Sequence, residues 1–354
     1  MLLSSFSYKE PGWELSALSP LSIVNLLVGR NATGKTRSIR ALRNVIAFLQ
    51  TKSLFMAPRD MSTELVFTDP TKDDWMMTYS FMVANGTIAK ESLVVNGKVL
   101  IKRTKAMATY LEDTINPPSH KLVVQIRRDE ELFPEIEQLM SWVEGVVFVS
   151  CSDINSMTIS FGSDDFGNPD RFSDIVDALS PKENKLVLTQ AKELGFDITG
   201  METMTSSNLK FVMIKEKSVR SVYGDFQMSN GMLRVLYLLC FLHYIKKDDK
   251  LSLLLVDDLG ESLDYGRSVR LGKMVFDACE NDGLQLMASS NDAFLMDAVD
   301  ISRWQVLRRR GSKVTAINST NNADLFKDFR LTGLSNFDLL SSDFIDNYLN
   351  RKAE

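Results

Sequence analysis

The 354-residue sequence has few of the side chains that build disulfide frameworks or zinc sites. It contains three cysteines and two histidines, and no pair of them stands at the spacing of zinc ligands. Cys240 and Cys279 fall within apolar helical patterns, which indicates buried reduced thiols and a cytoplasmic protein. Any bound metal is therefore expected to have oxygen ligands.

Long apolar runs and an excess of positive charge are also missing. No segment reaches the roughly 18 to 20 apolar residues that span a bilayer, so we expect no membrane association. The net charge of -5 excludes a protein that coats nucleic acid through bulk positive charge, and any DNA contact must be local. The hydrophobic and charged fractions, 44% and 25%, are those of an ordinary globular protein.

The most informative segment is Gly29-Arg30-Asn31-Ala32-Thr33-Gly34-Lys35-Thr36, which follows an apolar run and precedes a helical pattern. A glycine-rich loop in this position is a P-loop, whose backbone N–H groups and helix N-terminus bind phosphate. Lys35 is then expected to contact the outer phosphates and the Thr36 hydroxyl to bind Mg²⁺. We include Arg37 in this predicted nucleotide site. The alternative is a chance glycine-rich turn.

A second apolar run, residues 251–256, ends in two carboxylates, Asp257 and Asp258. An acid at the end of a strand beside a P-loop supplies a Mg²⁺ ligand, and we predict this role for Asp257. Asp258 is then placed to act as a general base on the attacking water. The alternative is that the two residues form a solvated strand end or a helix cap.

The turn Ser229-Asn230-Gly231 precedes a strongly apolar helical segment. Ser229 is predicted to cap this helix, because a serine hydroxyl accepts a hydrogen bond from a free N–H of the first turn. A serine-glycine turn at a helix N-terminus is also an anion site. The two roles are compatible, so the turn is a candidate second phosphate contact.

Hydrophobic periodicity predicts an α/β fold with a mixed, mainly parallel sheet, flanking helices, an antiparallel β meander and a smaller helical lobe. The meander is expected over residues 64–103, since Asn85-Gly86 and Asn96-Gly97 favour tight hairpin turns. A helix face is predicted at Leu132, Ile136, Leu139 and Trp142. Strands predicted to alternate with helices in the last third are 209–214, 251–256 and 284–288. Two further strands, 304–309 and 313–317, are predicted on either side of a turn at Gly311. No apolar heptad pattern is sustained, so no long coiled coil is expected.

The order of P-loop, Ser-x-Gly turn, strand ending in Asp-Asp and Glu261-Ser262-Leu263-Asp264 resembles the ATP-binding-cassette (ABC) class of ATPases over most of the chain. The segments NLLVGRNATGKTRSIRAL and LLLVDDLGESLD are most similar to the RecF, SMC and OLD-like branch. This resemblance implies a single ABC-type head over residues 1–354. Its first lobe would span about 1–125 and 240–354, and its second, helical lobe about 126–239.

The resemblance also implies a site shared between two copies of the chain. Ser229 and Gly231 would contact ATP held by the partner's P-loop, so that two heads enclose two ATP molecules head to tail. Ser262 and Asp264 would lie along the same interface. A homodimer or higher homo-oligomer formed through ATP is therefore expected.

Two residues depart from the pattern of the family. Asn291 stands where a switch histidine is usual, and Asp258 stands where glutamate is usual. An amide can hydrogen bond to a γ-phosphate but cannot carry a proton, and aspartate has a shorter reach than glutamate. Hydrolysis of ATP to ADP and phosphate is therefore expected to be slow. The family's glutamine loop has no obvious counterpart, and residues 150–153 are the candidate region.

Two functions remain open on the sequence alone. The first is a Mg²⁺-dependent ATPase that drives or regulates a partner in DNA repair or anti-phage defence, and the second is an ATP-dependent switch or scaffold with little hydrolysis. Because no nuclease domain follows the head, an effector such as a nuclease or toxin is expected to be a separate protein. Direct DNA contact is left open for the arginines at 37, 40 and 43 and for the basic segment 308–313, for which solvated surface is the default.

Overall fold

A large mixed sheet carries the P-loop at the end of one of its buried strands. The computed structural model describes residues 1–51, 59–155, 171–206, 209–247 and 249–351. Its strands are β1 (Leu2–Glu10), β2 (Trp13–Leu18), β3 (Val24–Val28), β4 (Met61–Thr68), β5 (Met76–Ala84), β6 (Thr87–Val95), β7 (Lys98–Thr104), β8 (Met107–Tyr110), β9 (Asp113–Ile115), β10 (Val146–Ser150), β11 (Ile198–Ser206), β12 (Leu209–Glu216), β13 (Tyr223–Gly224), β14 (Leu253–Asp257), β15 (Gln285–Ser289), β16 (Trp304–Arg310) and β17 (Lys313–Ile317).

The helices lie on both faces of this sheet. They are α1 (Lys35–Thr51), α2 (Val123–Ile126), α3 (Pro134–Glu144), α4 (Phe172–Ala178), α5 (Pro181–Glu193), α6 (Asn230–Ile245), α7 (Tyr265–Asp282), α8 (Ala293–Ala298), α9 (Ala323–Arg330), α10 (Asp338–Ser341) and α11 (Phe344–Arg351). No helix among the described residues is long and apolar enough to cross a membrane.

The sheet has 14 strands in the order β10-β14-β15-β3-β16-β17-β2-β1-β4-β5-β6-β7-β8-β9. The first five strands are parallel, and every residue of β3, β14 and β15 is buried, as expected for strands covered on both faces. The predicted antiparallel meander is confirmed over β4 to β9. Asn85 and Asn96 have φ angles of 50° and 49° in its hairpin turns. The meander continues the same sheet rather than forming a separate one.

Two hydrophobic clusters fill the two sides of the sheet, because neighbouring residues of a strand face opposite ways. Leu26 of β3 belongs to the cluster that contains α6, whereas Leu27 belongs to the cluster that contains α1. The predicted apolar face of α1 is confirmed by its buried side chains Ile39, Leu42, Ile46 and Leu49. Burial of one such side chain stabilises a fold by about 1.5–3 kcal/mol, so α1 is firmly held above the strand ends.

Two details of the predicted secondary structure were wrong. We expected 209–214 to continue the parallel alternation, but β12 pairs antiparallel with β11 and β13 in a separate three-stranded sheet. Only Val212 and Ile214 of β12 are fully buried, which is the one-sided pattern of an antiparallel strand. Leu132 precedes α3 and its side chain is 68% exposed, because Pro134 at the first helical position sets the helix start.

The division into two lobes remains a prediction. Residues 146–150, which fall in the range predicted for the second lobe, form β10 and pair with β14 in the large sheet. The second lobe also contains the three-stranded sheet, so its described part is not purely helical. Residues 156–170 of that range lie outside the described part of the chain.

The three cysteines are buried and free, and Trp142 and Trp304 are buried in the two clusters. The buried cysteines agree with the expectation of reduced thiols. A buried carboxylate is less common. Glu91 of β6 accepts hydrogen bonds from Val123 N (2.8 Å), Val124 N (3.3 Å) and the Tyr79 hydroxyl (3.1 Å), and thereby caps α2. Burial raises the pKa of Glu91 to about 7, against these hydrogen bonds, which lower it.

We predict that Glu91→Gln removes part of the pH dependence of stability. The raised pKa means that Glu91 binds its proton more tightly in the folded protein than in the unfolded chain. The contribution of protonated Glu91 to stability is therefore complete below the unfolded pKa near 4.5 and is lost as pH rises towards 7. Between pH 4.5 and 7.5 the wild type should lose roughly 3 kcal/mol relative to the variant. Urea unfolding of both proteins at several pH values measures this difference, and parallel curves would contradict the prediction.

Candidate functional site

The P-loop residues 29–36 connect the end of β3 to the start of α1. Gly29 has a φ of 154°, and a Cβ atom there would lie 2.7 Å from the carbonyl oxygen of Leu307 on β16. Only glycine fits this close approach. Gly34 and Ala32 also have positive φ angles, 106° and 64°, so the loop curls back on itself. The structure thus gives this segment the curled shape of a phosphate-binding loop.

Lys35 lies at the first position of α1 and is buried beneath this loop. Its ammonium group donates hydrogen bonds to the carbonyl oxygens of Gly29 (2.6 Å) and Arg30 (3.2 Å). Burial lowers the pKa of Lys35, and the charges of Asp258 and Asp257 partly offset this effect. The two carbonyl oxygens stabilise the cation in the position where it would meet phosphate oxygens.

A cavity of about 570 Å³ opens over the loop and α1. Its lining consists of Trp13, Asn31, Ala32, Gly34, Lys35, Thr36, Arg37, Arg40, Asn291 and Arg309. Four of these side chains are cationic, and among the described residues no carboxylate lines the cavity. The charge of the cavity favours an anionic ligand.

Asp257 ends β14 and is fully buried beside this cavity. Its Oδ1 accepts a hydrogen bond from the Ser289 hydroxyl at 2.6 Å, while its Oδ2 has no hydrogen-bond partner within the described chain. The nearest cation to Oδ2 is the Arg40 guanidinium, 3.9 Å away. Burial raises the pKa of Asp257, and the charge of Asp258 raises it further, whereas the Ser289 and Thr36 hydroxyls lower it.

This arrangement fits a Mg²⁺ site. The buried oxygen without a partner lies beside the Thr36 hydroxyl, and oxygen donors of this kind are the ligands that Mg²⁺ prefers. Among the described residues no group of three His, Cys, Asp or Glu side chains is placed to hold a metal. Further ligands would therefore be phosphate oxygens and water, as is usual for Mg²⁺ in nucleotide sites.

Asp258 and Asn291, the two departures from the family's pattern, are in contact. The Asn291 amide donates to Asp258 Oδ1 at 3.2 Å, and the backbone N–H of Asp258 donates to the Ser289 hydroxyl at 3.0 Å. Asp258 has a φ of 57°, a left-handed conformation that aspartate tolerates better than most residues. Sequence reasoning missed Ser289, which bonds to both aspartates from the end of β15.

The other predicted site residues lie near one another and form a second group: Ser229, Gly231, Ser262 and Asp264. Ser229 caps α6 by accepting from Met232 N at 3.3 Å, as predicted, and a Cβ on Gly231 would lie 3.2 Å from the carbonyl oxygen of Ser262. Asp264 caps α7 by accepting from Arg267 N at 3.1 Å. Within the described chain, none of the residues that line the cavity comes from this group.

Arg234 was also missed as a functional candidate. This buried residue of α6 donates to the Ser262 hydroxyl (2.7 Å), the carbonyl oxygen of Glu261 (3.2 Å) and the carbonyl oxygen of Ser152 (3.3 Å). It therefore joins two loops of the site, at Ser152 and at 261–262, to α6. The loop at Ser152 is the region that we considered for the glutamine loop, and Cys151 N bonds to the carbonyl oxygen of Asp257 at 2.9 Å.

Most of the basic side chains considered for DNA contact have partners. On α1, Arg37 pairs with Glu10 (2.6 Å), Arg40 lies 3.7 Å from Asp153, and Arg43 stacks on Phe148. On β16, Arg308 pairs with Asp346, and Arg309 donates to the carbonyl oxygens of Gly311 and Ala32. Direct DNA binding by these residues remains a prediction.

The parallel strands, the loop curled over a buried lysine and the buried aspartate on a nearby strand define a P-loop fold of the ABC-ATPase type. The chain is similar to solved heads of SMC proteins. It matches an SMC head bound to the C-winged helix domain of ScpA with 12% identity and a TM-score of 0.57, over 92% of this chain and 100% of the other. It matches the SMC head from Pyrococcus furiosus, solved with an extended coiled coil and the C-terminal domain of ScpA, with 11% identity and a TM-score of 0.52, over 93% and 99%.

No protein-family model matches the sequence, and no curated protein matches it. At such low identity the structural matches show the fold, which is the α/β fold of an SMC head. This result confirms, at the level of the fold, the resemblance drawn from the motifs.

We predict that Arg234→Met loosens the two loops that this side chain joins to α6. The variant leaves the Ser262 hydroxyl and two carbonyl oxygens without their charged donor, so amides of residues 150–153 and 259–264 should exchange hydrogen about tenfold faster or more. Hydrogen exchange followed by mass spectrometry measures this. Arg270→Met is the control, because Arg270 donates to the carbonyl oxygen of Glu193, outside these loops. Equal exchange in both variants would show that Arg234 does not hold the loops together.

Proposed function

We propose that this chain is a Mg²⁺-dependent ATPase of the ABC type that binds ATP in the P-loop cavity and pairs head to tail with a second copy. The observation that carries this proposal is the grouping of Lys35, Thr36 and the buried Asp257 around a cavity lined by cations. A structural turn would not need a buried lysine next to a buried carboxylate, because burying either charge is costly without a ligand or partner.

Each residue has a chemical task in this proposal. The backbone N–H groups of residues 30–36 bind phosphate oxygens, and the Lys35 ammonium exchanges the Gly29 and Arg30 carbonyl oxygens for the outer phosphates. Thr36 and Asp257 would hold Mg²⁺, which neutralises charge on the β- and γ-phosphates. Asp258 accepts a proton from the attacking water.

Turnover is proposed to be slow, because Asp258 is short and its carboxylate is already bonded to the Asn291 amide. That amide cannot accept the proton as an imidazole would. The same contact favours the second candidate function, an ATP-dependent switch or scaffold that closes on ATP with little hydrolysis and holds an effector protein. The two functions share one binding site and differ in the rate of ATP hydrolysis.

A separate partner protein is part of the proposal. Both solved SMC heads described above were crystallised with part of a second protein, ScpA, and the similarity of fold supports a head that acts on a partner. We propose a nuclease or toxin effector in DNA repair or anti-phage defence as that partner. This assignment rests on the resemblance to RecF and OLD-like proteins, and direct contact with DNA is left open.

The proposal predicts that Lys35→Ala abolishes nucleotide binding. The variant removes the buried cation from the cavity, so affinity for a fluorescent ATP analogue should fall by about 100-fold or more. Lys273→Ala, on the exposed face of α7, is the matched control and should bind as the wild type does. Circular dichroism checks that both variants are folded. Full affinity in folded Lys35→Ala would remove the nucleotide site from the proposal.

A second variant separates binding from hydrolysis. Asp258→Asn keeps the size of the side chain but cannot accept a proton, so turnover should fall by about 100-fold while ATP affinity stays within about twofold. Release of phosphate and equilibrium binding are measured on the same preparation, with Asp277→Asn on the exposed face of α7 as control. Unchanged turnover would remove Asp258 from the base role. A wild type without turnover above background would favour the switch.

A further inference from the structure

The second group of site residues lies next to residues 291–294, and together they form a surface that we call the turn face: residues 229–231, 261–265 and 291–294. Three close approaches join these segments or a residue next to them. A Cβ on Gly231 would lie 3.2 Å from the carbonyl oxygen of Ser262, and one on Gly260, which precedes the 261–265 segment, would lie 3.4 Å from Asp292 Cβ. The rings of Tyr265 and Phe294 are 5.0 Å apart.

The turn face contains two large apolar side chains that are exposed. Tyr265 is 63% exposed and Phe294 is 49% exposed, and their rings pack edge to face at 88°. Each ring lies in the first turn of a capped helix, since Asp264 caps α7 and Asp292 accepts from Phe294 N at 2.8 Å. The pair is therefore held in place on its own chain. Ordered exposed aromatic side chains are typical of the centre of a protein interface.

We propose that Tyr265 and Phe294 are the apolar contact through which a second copy of this chain docks on the turn face. This inference rests on the proposed function and names the surface that closes its site. A second copy is the fitting partner because the cavity lacks any lining from residues 229–231 of its own chain, within the part that the structure describes. In the proposed dimer, residues 229–231 of the other copy complete the site.

Charge supports the same partner. The turn face carries Glu261, Asp264 and Asp292, of which Asp264 pairs with Arg267 of α7, whereas the P-loop cavity is lined by four cationic side chains. One copy therefore presents a surface with three carboxylates and a surface with four cations, and these match in a two-fold dimer in which each meets its opposite. The aromatic pair lies on the turn face, where closure would bury it.

The test compares Tyr265→Ser/Phe294→Ser with the wild type in the presence of Mg²⁺ and a non-hydrolysable ATP analogue. Sedimentation velocity should show a dimer dissociation constant about tenfold higher or more in the double variant, since interface aromatics are frequent hot spots. Nucleotide affinity of the monomer, measured at low protein concentration, should not change. Leu132→Ser/Leu331→Ser is the matched control, because these side chains are 68% and 79% exposed outside the turn face.

A conservative variant checks that apolar area is responsible. Tyr265→Phe/Phe294→Tyr should retain dimer formation within about threefold, because it keeps both rings. Equal dimerisation of the wild type and the serine variant would overturn the inference while leaving the proposed ATPase intact. A wild type that binds the analogue but stays monomeric would overturn both this inference and the head-to-tail dimer. Failure of the wild type to bind the analogue would overturn the proposed function itself.

Discussion

The site depends on the burial of one carboxylate, Asp257, at the end of β14. A buried charge is tolerated only where hydrogen bonds and opposite charges surround it. Here the Ser289 hydroxyl comes from the end of β15, the Arg40 guanidinium from α1, and the strand β10 ends alongside, with Ser150 in register with Asp257. The ends of β10, β14 and β15 and the first turns of α1 must therefore lie close together around Asp257. This arrangement places the P-loop next to the carboxylate.

Arg234 organises the second half of the site in the same way. Its hydrogen bonds to the 261–262 loop and to Ser152 tie the helix behind the Ser229 turn to the segment that follows β10. That segment is bonded in turn to Asp257 through Cys151 N. Hydrogen bonds therefore run continuously from Asp257 to the turn face. Arg234 itself is buried, so its hydrogen bonds are costly to break without a replacement.

The P-loop, the helix caps and the hairpin turns were predictable because each depends on neighbours in sequence. A buried strand, a glycine-rich loop and a helix follow one another over residues 24–51, and Ser229 caps the helix that begins one residue later. The separate sheet at β12 was missed because its sequence neighbours β11 and β13, with which it pairs, were not recognised as strands. No local pattern marked Ser289 or Arg234, because their partners lie 32 and 28 residues away.

Asp258 and Asn291 look like two separate losses in the sequence, but in the structure they form one unit. The left-handed backbone at 258 suits a short polar side chain, and it directs the carboxylate to within 3.2 Å of the Asn291 amide. An amide is a neutral donor that stabilises a carboxylate without competing for its proton. A histidine in its place would take up the proton that Asp258 is proposed to accept. The Asn291 amide therefore occupies one oxygen of the proposed base and offers no second proton acceptor, and this contact is the reason for proposing slow turnover.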